Sequence, residues 1–208
     1  MLMHAELTRV ICSGPRKGNK HTYALLDERV PPAPPKDRDE AVVELARRYL
    51  ESHGPATPHD MAWWSGLTVT DCRRGIAALG DALDTVEIDG TTWWFFPPKG
   101  STAIPEPSVH LLPNFDEYYV GFRNNEVAWD PAIRARYDTG REFWMNHFVT
   151  LDGRIIGGWR RKLARELLIQ VVNPLGLDRD GQVAFAETAE AYGRFVDLPV
   201  VIDDAKSG

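Results

Sequence analysis

RDEAVVELARRYLESHGPATPHDMAWWSGLTVTDCRRGIAALGDALDTVEIDGTTWWFFP, residues 38–97, carries three helical patterns and one hairpin pattern in an unbroken run. Ala41, Val42, Leu45, Ala46, Tyr49 and Leu50 recur at helical spacing behind a cap at Asp37 or Asp39, and Gly54-Pro55 ends the stripe. Thr57-Pro58-His59-Asp60 is a second start signal, a hydroxyl cap followed by proline in the first turn and an acid at its third position. The helix it opens is short, carries Met61, Trp63 and Trp64, and stops at Gly66. Thr68 or Thr70 caps a third helix through Cys72, Ile76, Ala77 and Leu79, which Gly75 and Gly80 weaken. The period then changes. Thr85 to Ile88 alternate, Asp89-Gly90 is a two-residue hairpin turn, and Thr92 to Phe96 are aromatic and strand-forming. Three helices and a hairpin in that order make a winged helix.

The charge of this segment opposes the usual work of the fold. A winged helix places its third helix in the major groove and its hairpin tip on phosphate. Arg73 and Arg74 are the basic pair of the third helix. Residues 38–97 hold five Lys and Arg against ten Asp and Glu, a net of −5, and Glu87 and Asp89 sit at the wing turn. Phosphate contact needs cations there. A structural spacer between other modules is the competing reading.

Upstream, residues 6–26 read as a second hairpin, with strands at Leu7 to Cys12 and His21 to Leu26. Its loop carries Arg16, Lys17 and Lys20 among permissive glycines and no acid, the chemistry of a DNA-contacting wing. A wing follows its helices, yet only the tail of a helix fits before residue 6. The chain therefore reads as a truncated form of a longer protein. Four prolines between Val30 and Lys36 make a stiff linker.

Downstream of Pro105 the pattern is mostly β. Asp152-Gly153 is a second hairpin signal, Glu166 to Val172 another strand, and Asp130-Pro131 opens a short helix through Ile133 and Tyr137. Phe185, Ala189, Tyr192 and Phe195 form the stripe of a last helix opened by Asp180 or Gly181. Short strands with tight turns suggest a small barrel or curled sheet closed by that helix. Arg154, Arg160, Arg161, Lys162 and Arg165 are the densest basic cluster, and strand alternation places Arg160 and Lys162 on one face and Arg161 on the other.

Several chemistries find no support. Cys12 and Cys72 lack paired spacing, the six histidines lack metal spacing, and there is no phosphate-binding loop or dinucleotide fingerprint. His147 near Asp152 reads as a strand histidine, Asp116-Glu117 as a turn-forming pair. Of Trp63-Trp64 and of Trp93-Trp94, one member each is expected to face inward.

The ordered set Ser13-Gly14-Pro15, Thr22 to Arg29, Leu45 to Tyr49, His53 to Thr57, Trp63-Trp64-Ser65-Gly66-Leu67, Leu111-Leu112-Pro113 with Phe115-Asp116-Glu117-Tyr118, Asp152-Gly153-Arg154 and Gly158-Trp159-Arg160-Arg161 resembles the AlkZ/YcaQ-type winged-helix DNA-binding family from end to end. The resemblance implies tandem winged helices, a C-terminal β-barrel-like domain, DNA as partner, and kinship with glycosylases that release alkylated bases and unhook crosslinks. It also implies a catalytic Gln-apolar-Gln motif, or a Gln/Asp variant, ahead of the first wing. This sequence has only Gln170 and Gln182, neither in that pattern. Phe122-Arg123-Asn124-Asn125 stands where relatives read Tyr-Arg-Asp-Arg, without the final arginine.

Together these readings give an α+β chain. Residues 1–30 are the remnant wing hairpin of a first winged helix, 31–37 a linker, 38–97 a complete winged helix, 98–107 a linker and 108–208 the β-barrel-like domain. The expected function is a winged-helix DNA-binding protein related to DNA glycosylases, catalytically incomplete as it stands, with no catalytic residue assigned. The alternatives are a fragment of an active alkylpurine or interstrand-crosslink glycosylase, and a non-enzymatic protein-interaction module. Arg16, Lys17, Lys20, Arg73, Arg74, Arg154, Arg160 and Arg161 are the expected contacts to the backbone of double-stranded DNA. No cofactor, metal or membrane is expected, and the chain is expected to be monomeric and cytoplasmic.

Overall fold

A computed structural model describes all residues except 19, 99, 101–106, 135–146, 173–175 and 205–208. The chain divides into two compact units, residues 1–41 and 42–208.

In the first unit, α1 (Leu2–Leu7) precedes an antiparallel pair, β1 (Ile11–Ser13) and β2 (Tyr23–Leu25), followed by the single turn α2 (Leu26–Arg29). The hairpin stands as expected but is shorter. Leu7 ends the helix instead of starting a strand, because Arg9 turns the chain at a φ of 62°. The hairpin loop narrows at Lys17 and Lys20, whose backbones exchange two hydrogen bonds of 3.2 Å around Gly18 at a φ of 61°. None of the described residues of this unit, 1–41, is buried, and Leu2, Leu7, Val10, Tyr23 and Leu25 face solvent.

The winged helix is built from α3 (Arg38–His53), α4 (Pro58–Ser65), α5 (Val69–Ala77), a 3-10 turn at Gly80–Ala82, and the hairpin β3 (Asp84–Ile88) and β4 (Thr91–Phe95). Its caps are those the sequence signals. Asp37 accepts from the Asp39 N–H at 2.8 Å, and Thr68 caps α5. At α4, Thr57 and Asp60 satisfy each other's backbone N–H in a reciprocal capping box. Asp89 and Gly90 both take positive φ, as the two-residue turn requires. Ala46, Tyr49 and Leu50 of α3 meet Met61, Cys72 and Ile76 in the core. Gly75 is there for contact: a Cβ on it would lie 2.9 Å from Val42 Cγ1 and 3.2 Å from Ala46 Cβ. Ala56, between α3 and α4, pairs with Trp94 through two backbone hydrogen bonds of 3.0 and 2.9 Å, which ties the hairpin to the helices.

The remaining elements are β5 (Val109–Leu112), the one-turn helices α6 (Glu117–Val120) and α7 (Pro131–Arg134), β6 (His147–Leu151), β7 (Arg154–Leu163), β8 (Leu167–Val172), α8 (Arg179–Val196) and β9 (Val200–Asp204). The five strands form one sheet in chain order, antiparallel except for β8 and β9, which α8 joins as a parallel crossover. Among the described residues β5 and β9 are the two edges, so the expected barrel closure is not drawn there. The helix instead covers a face. Phe185 and Ala189 of α8 pack on Val109, Val149, Ile156, Trp159, Leu167 and Ile169, while Tyr119, Trp129 and Ile133 cover Phe148 and Ile155 on the other side.

Three local readings change. Within the stretch read as mostly β, Glu117–Val120 is a helical turn, because the Asp116 side chain caps it by accepting from Tyr118 N–H at 2.9 Å. Asp178 caps α8, two residues before the expected start. Phe195, expected on the packed stripe, is 84 % exposed, while Tyr192 and Val196 take the packed positions of that turn. Tyr137 lies outside the described residues.

Candidate nucleic-acid interface

Cations reach phosphate only where no acid already holds them. In the winged helix most are held. Glu44 accepts from both Arg47 and Arg48, and Arg47 also reaches Glu51 at 2.6 Å. These guanidiniums lower the Glu44 carboxyl to about 2. Arg74 of α5 is paired with Asp71 at 3.0 Å. Arg73 beside it is exposed, and among the described residues no acid pairs with it. The winged helix therefore offers one unneutralised arginine from its expected pair.

Arg16, Lys17 and Lys20 are all exposed on the loop of the first unit, which the Lys17–Lys20 bridge holds in a tight turn. Arg154 begins β7 directly after the Asp152-Gly153 turn. Arg160 and Arg161 sit near its far end, roughly 20 Å away at about 3.3 Å per residue. Arg161 lies 5.5 Å over the ring of Tyr192 and donates to its hydroxyl, which fixes Arg161 on the α8 face. Alternation puts Arg160 and Lys162 on the opposite face, as expected. The eight expected residues thus lie on three elements: a loop, a helix and a strand.

Sequence reasoning missed the join between the winged helix and the segment 116–123. Tyr49 donates to Gly121 O at 3.1 Å, Trp63 Nε1 donates to Val120 O at 3.0 Å, and Trp64 Nε1 donates to Glu117 Oε1. His53 Nε2 is 3.0 Å from the same Glu117 oxygen and stacks on Tyr49 at 4.6 Å. Asp60, 3 % exposed, accepts from Thr57 N–H, Thr57 Oγ1 and Arg123 N–H. Burial, with Asp60 and Glu117 adding repulsion, pushes the Tyr49 hydroxyl well above its usual value and keeps it a donor. The signal was present in Trp63-Trp64: both rings are partly exposed instead of one facing inward, because their N–H groups are spent on this segment. Phe122 packs on the winged-helix core, so the Phe122-Arg123-Asn124-Asn125 string serves the join.

His147 and Asp152 do not form a pair. His147 packs edge-on against Trp159 at 5.1 Å, and burial first and Arg161 second lower its pKa. Asp152 accepts from Ser108 N–H at 2.7 Å. Gln170 donates to Asp203 at 2.9 Å and Gln182 to Leu177 O at 3.0 Å. Among the described residues no cluster of His, Cys, Asp and Glu is placed to hold a metal, and no helix is long and apolar enough to cross a membrane.

A family model for DNA glycosylase AlkZ-like proteins matches residues 1–195. The chain belongs to the AlkZ-like family. A relative, the interstrand DNA cross-link repair glycosylase of Streptomyces sahachiroi, is 29 % identical over 163 residues, which cover 72 % of this chain and 43 % of that protein. The solved structure of Streptomyces sahachiroi DNA glycosylase AlkZ superposes with a TM-score of 0.69 at 27 % identity, over 94 % of this chain and 55 % of that one. The chain thus spans about half the length of the AlkZ-like proteins it matches.

Proposed function

We propose that this chain holds double-stranded DNA without base-specific readout and lacks the catalytic group of a glycosylase within its 208 residues. The observation that carries this is the AlkZ-like match over residues 1–195, taken with the relative named as a cross-link repair glycosylase. Arg16, Lys17, Lys20, Arg73, Arg154, Arg160 and Arg161 are the phosphate contacts of the proposal. The N-terminal loop ranks first, because its three cations have no acid between them in sequence. Arg74 ranks last, because Asp71 holds it.

Glycosylase chemistry needs a polar group that orients water at the sugar of a flipped nucleotide. The two glutamines of this sequence, Gln170 and Gln182, do not stand in the Gln-apolar-Gln pattern and donate to Asp203 and to Leu177 O, which supports an inactive reading. Free thiols at Cys12 and Cys72 fit a reducing cytoplasm, and the chain acts as a monomer in this proposal.

Fluorescence anisotropy with a labelled random-sequence duplex tests it. Binding at low salt that weakens steeply as salt rises, indifferent to sequence, is expected. Incubation with a duplex carrying an alkylated purine should release no base. Release of base would favour the active-glycosylase reading. Absence of any duplex binding at low salt overturns the proposal and leaves the acidic winged helix, at −5, as a protein-docking module.

A further inference from the structure

At the start of the sheet the Asp152-Gly153 turn lines one side of a cavity of about 350 Å³. Among the described residues its polar lining comes from Ser108, His110, Thr150 and Asp152 and its apolar lining from Leu112 and Tyr118. The backbone explains its form. His110 and Thr150 are directly opposed across β5 and β6, and a bulge at Val149/Thr150 shifts β7 by a residue. Asp152, at a φ of 49°, is latched to Ser108 twice: its carboxylate accepts from Ser108 N–H at 2.7 Å, and its own N–H donates to Ser108 O at 2.8 Å. Tyr118 donates its hydroxyl to Gly153 O, which sets its ring as a fixed wall. Ser108 Oγ lies 3.0 Å from His110 Nε2. The site is preformed by the fold.

The walls select a ligand class. The volume is at the small end of ligand pockets, with mostly apolar lining and a few convergent polar groups. Among the described residues no lysine or arginine lines it, so those walls offer no cation to a phosphate. Among the described residues Asp152 is its one carboxylate, a hydrogen-bond acceptor, which favours a ligand that presents an amino group. Tyr118 supplies a ring face suited to a planar heterocycle. We propose that this pocket receives an unpaired nucleobase carrying an amino group, adenine or cytosine before thymine, with the ring against Tyr118 and the amine toward Asp152. The choice of a nucleobase rests on the reading that the chain works on DNA. The sugar and phosphate remain outside.

Titration of the whole chain with deoxyadenosine, deoxycytidine and thymidine, followed by NMR at Thr150 and His110, tests this. Deoxyadenosine and deoxycytidine should shift both residues and bind about tenfold more tightly than thymidine, because thymine has no amino group and its one ring donor, N3–H, sits between two carbonyl oxygens that the carboxylate repels. A 5′-phosphate should add no affinity. Asp152→Asn keeps an acceptor for Ser108 N–H and tolerates the turn, so it folds, and it should bring the tenfold preference close to one. Tyr118→Leu should weaken all three nucleosides together. Equal binding of thymidine overturns the proposal, as does a preference that survives Asp152→Asn, or no shift at Thr150 at millimolar nucleoside. Duplex binding measured on the same samples is a separate readout. If it fails while nucleosides bind at Thr150, the pocket stands and the duplex reading falls. If it succeeds while nucleosides leave Thr150 unmoved, the pocket alone falls.

Discussion

Asp60 shows how much one side chain can organise. Its carboxylate accepts from the N–H and hydroxyl of Thr57 and from the backbone of Arg123, in a setting from which water is nearly absent. An ordinary helix cap is worth about 1 kcal/mol. Removing this one also orphans buried donors at roughly 1–3 kcal/mol each. Asp60→Ala should therefore cost several times what Thr57→Ala costs in urea unfolding, where Thr57→Ala loses about 1 kcal/mol. Equal losses would mean that the Arg123 bond contributes nothing. His147 works at the same scale through charge. Its folded pKa lies below the ordinary 6.5, by burial and by Arg161, so the folded state resists the proton that the unfolded state accepts. Stability is then full above 6.5 and declines as pH falls from there through the lowered folded value. Melting temperature should drop between pH 7.5 and pH 5.5, and His147→Gln should flatten that part of the profile.

Between elements, close approach outweighs helix propensity. Gly75 looks like a weak point of α5, since alanine in an open helix would stabilise by about 1 kcal/mol. Here a methyl would meet the Val42 side chain and backbone within 3.0 Å. Overpacking of that kind costs roughly 1–3 kcal/mol, so Gly75→Ala should destabilise in a thermal melt, while a gain would mean that α3 moves aside freely. Gly121 sets the same test at the join, because a Cβ there would lie 2.7 Å from the His53 ring. Gly121→Ala should raise amide hydrogen exchange at 117–123 and leave the β3–β4 hairpin unchanged. These two glycines mark the limit of what the sequence makes legible. Caps and turns could be read because Thr57, Thr68, Asp89-Gly90 and Asp152-Gly153 act on neighbours within a few residues. Asp116 was legible as a turn former, but the helix it starts was not, because Glu117-Tyr118-Tyr119-Val120 has equal claim to a strand by composition. The join and the pocket were not legible either. Tyr49 and Gly121, or Ser108 and Asp152, are brought together by tertiary packing that no local period encodes.

For the whole molecule the question is which cations meet DNA. The net charge of −6 sets a repulsive background, and long-range repulsion is screened beyond about 8 Å at physiological salt. Local sets therefore decide. The winged helix spends Arg47, Arg48 and Arg74 on its own acids, whereas Arg16, Lys17 and Lys20 share one exposed loop. Each phosphate neutralised on duplex DNA contributes about 0.9 to the slope of log binding constant against log salt. Replacing Arg16, Lys17 and Lys20 with alanine should thus reduce that slope by about 2.7. Arg73→Ala and Arg160→Ala should each reduce it by no more than about 0.9. Arg74→Ala should change it least, since breaking the pair with Asp71 exposes an acid without removing a phosphate contact. A slope that responds to Arg74 but not to the N-terminal loop would move the DNA contact onto α5 and restore the winged helix as the principal DNA-facing module.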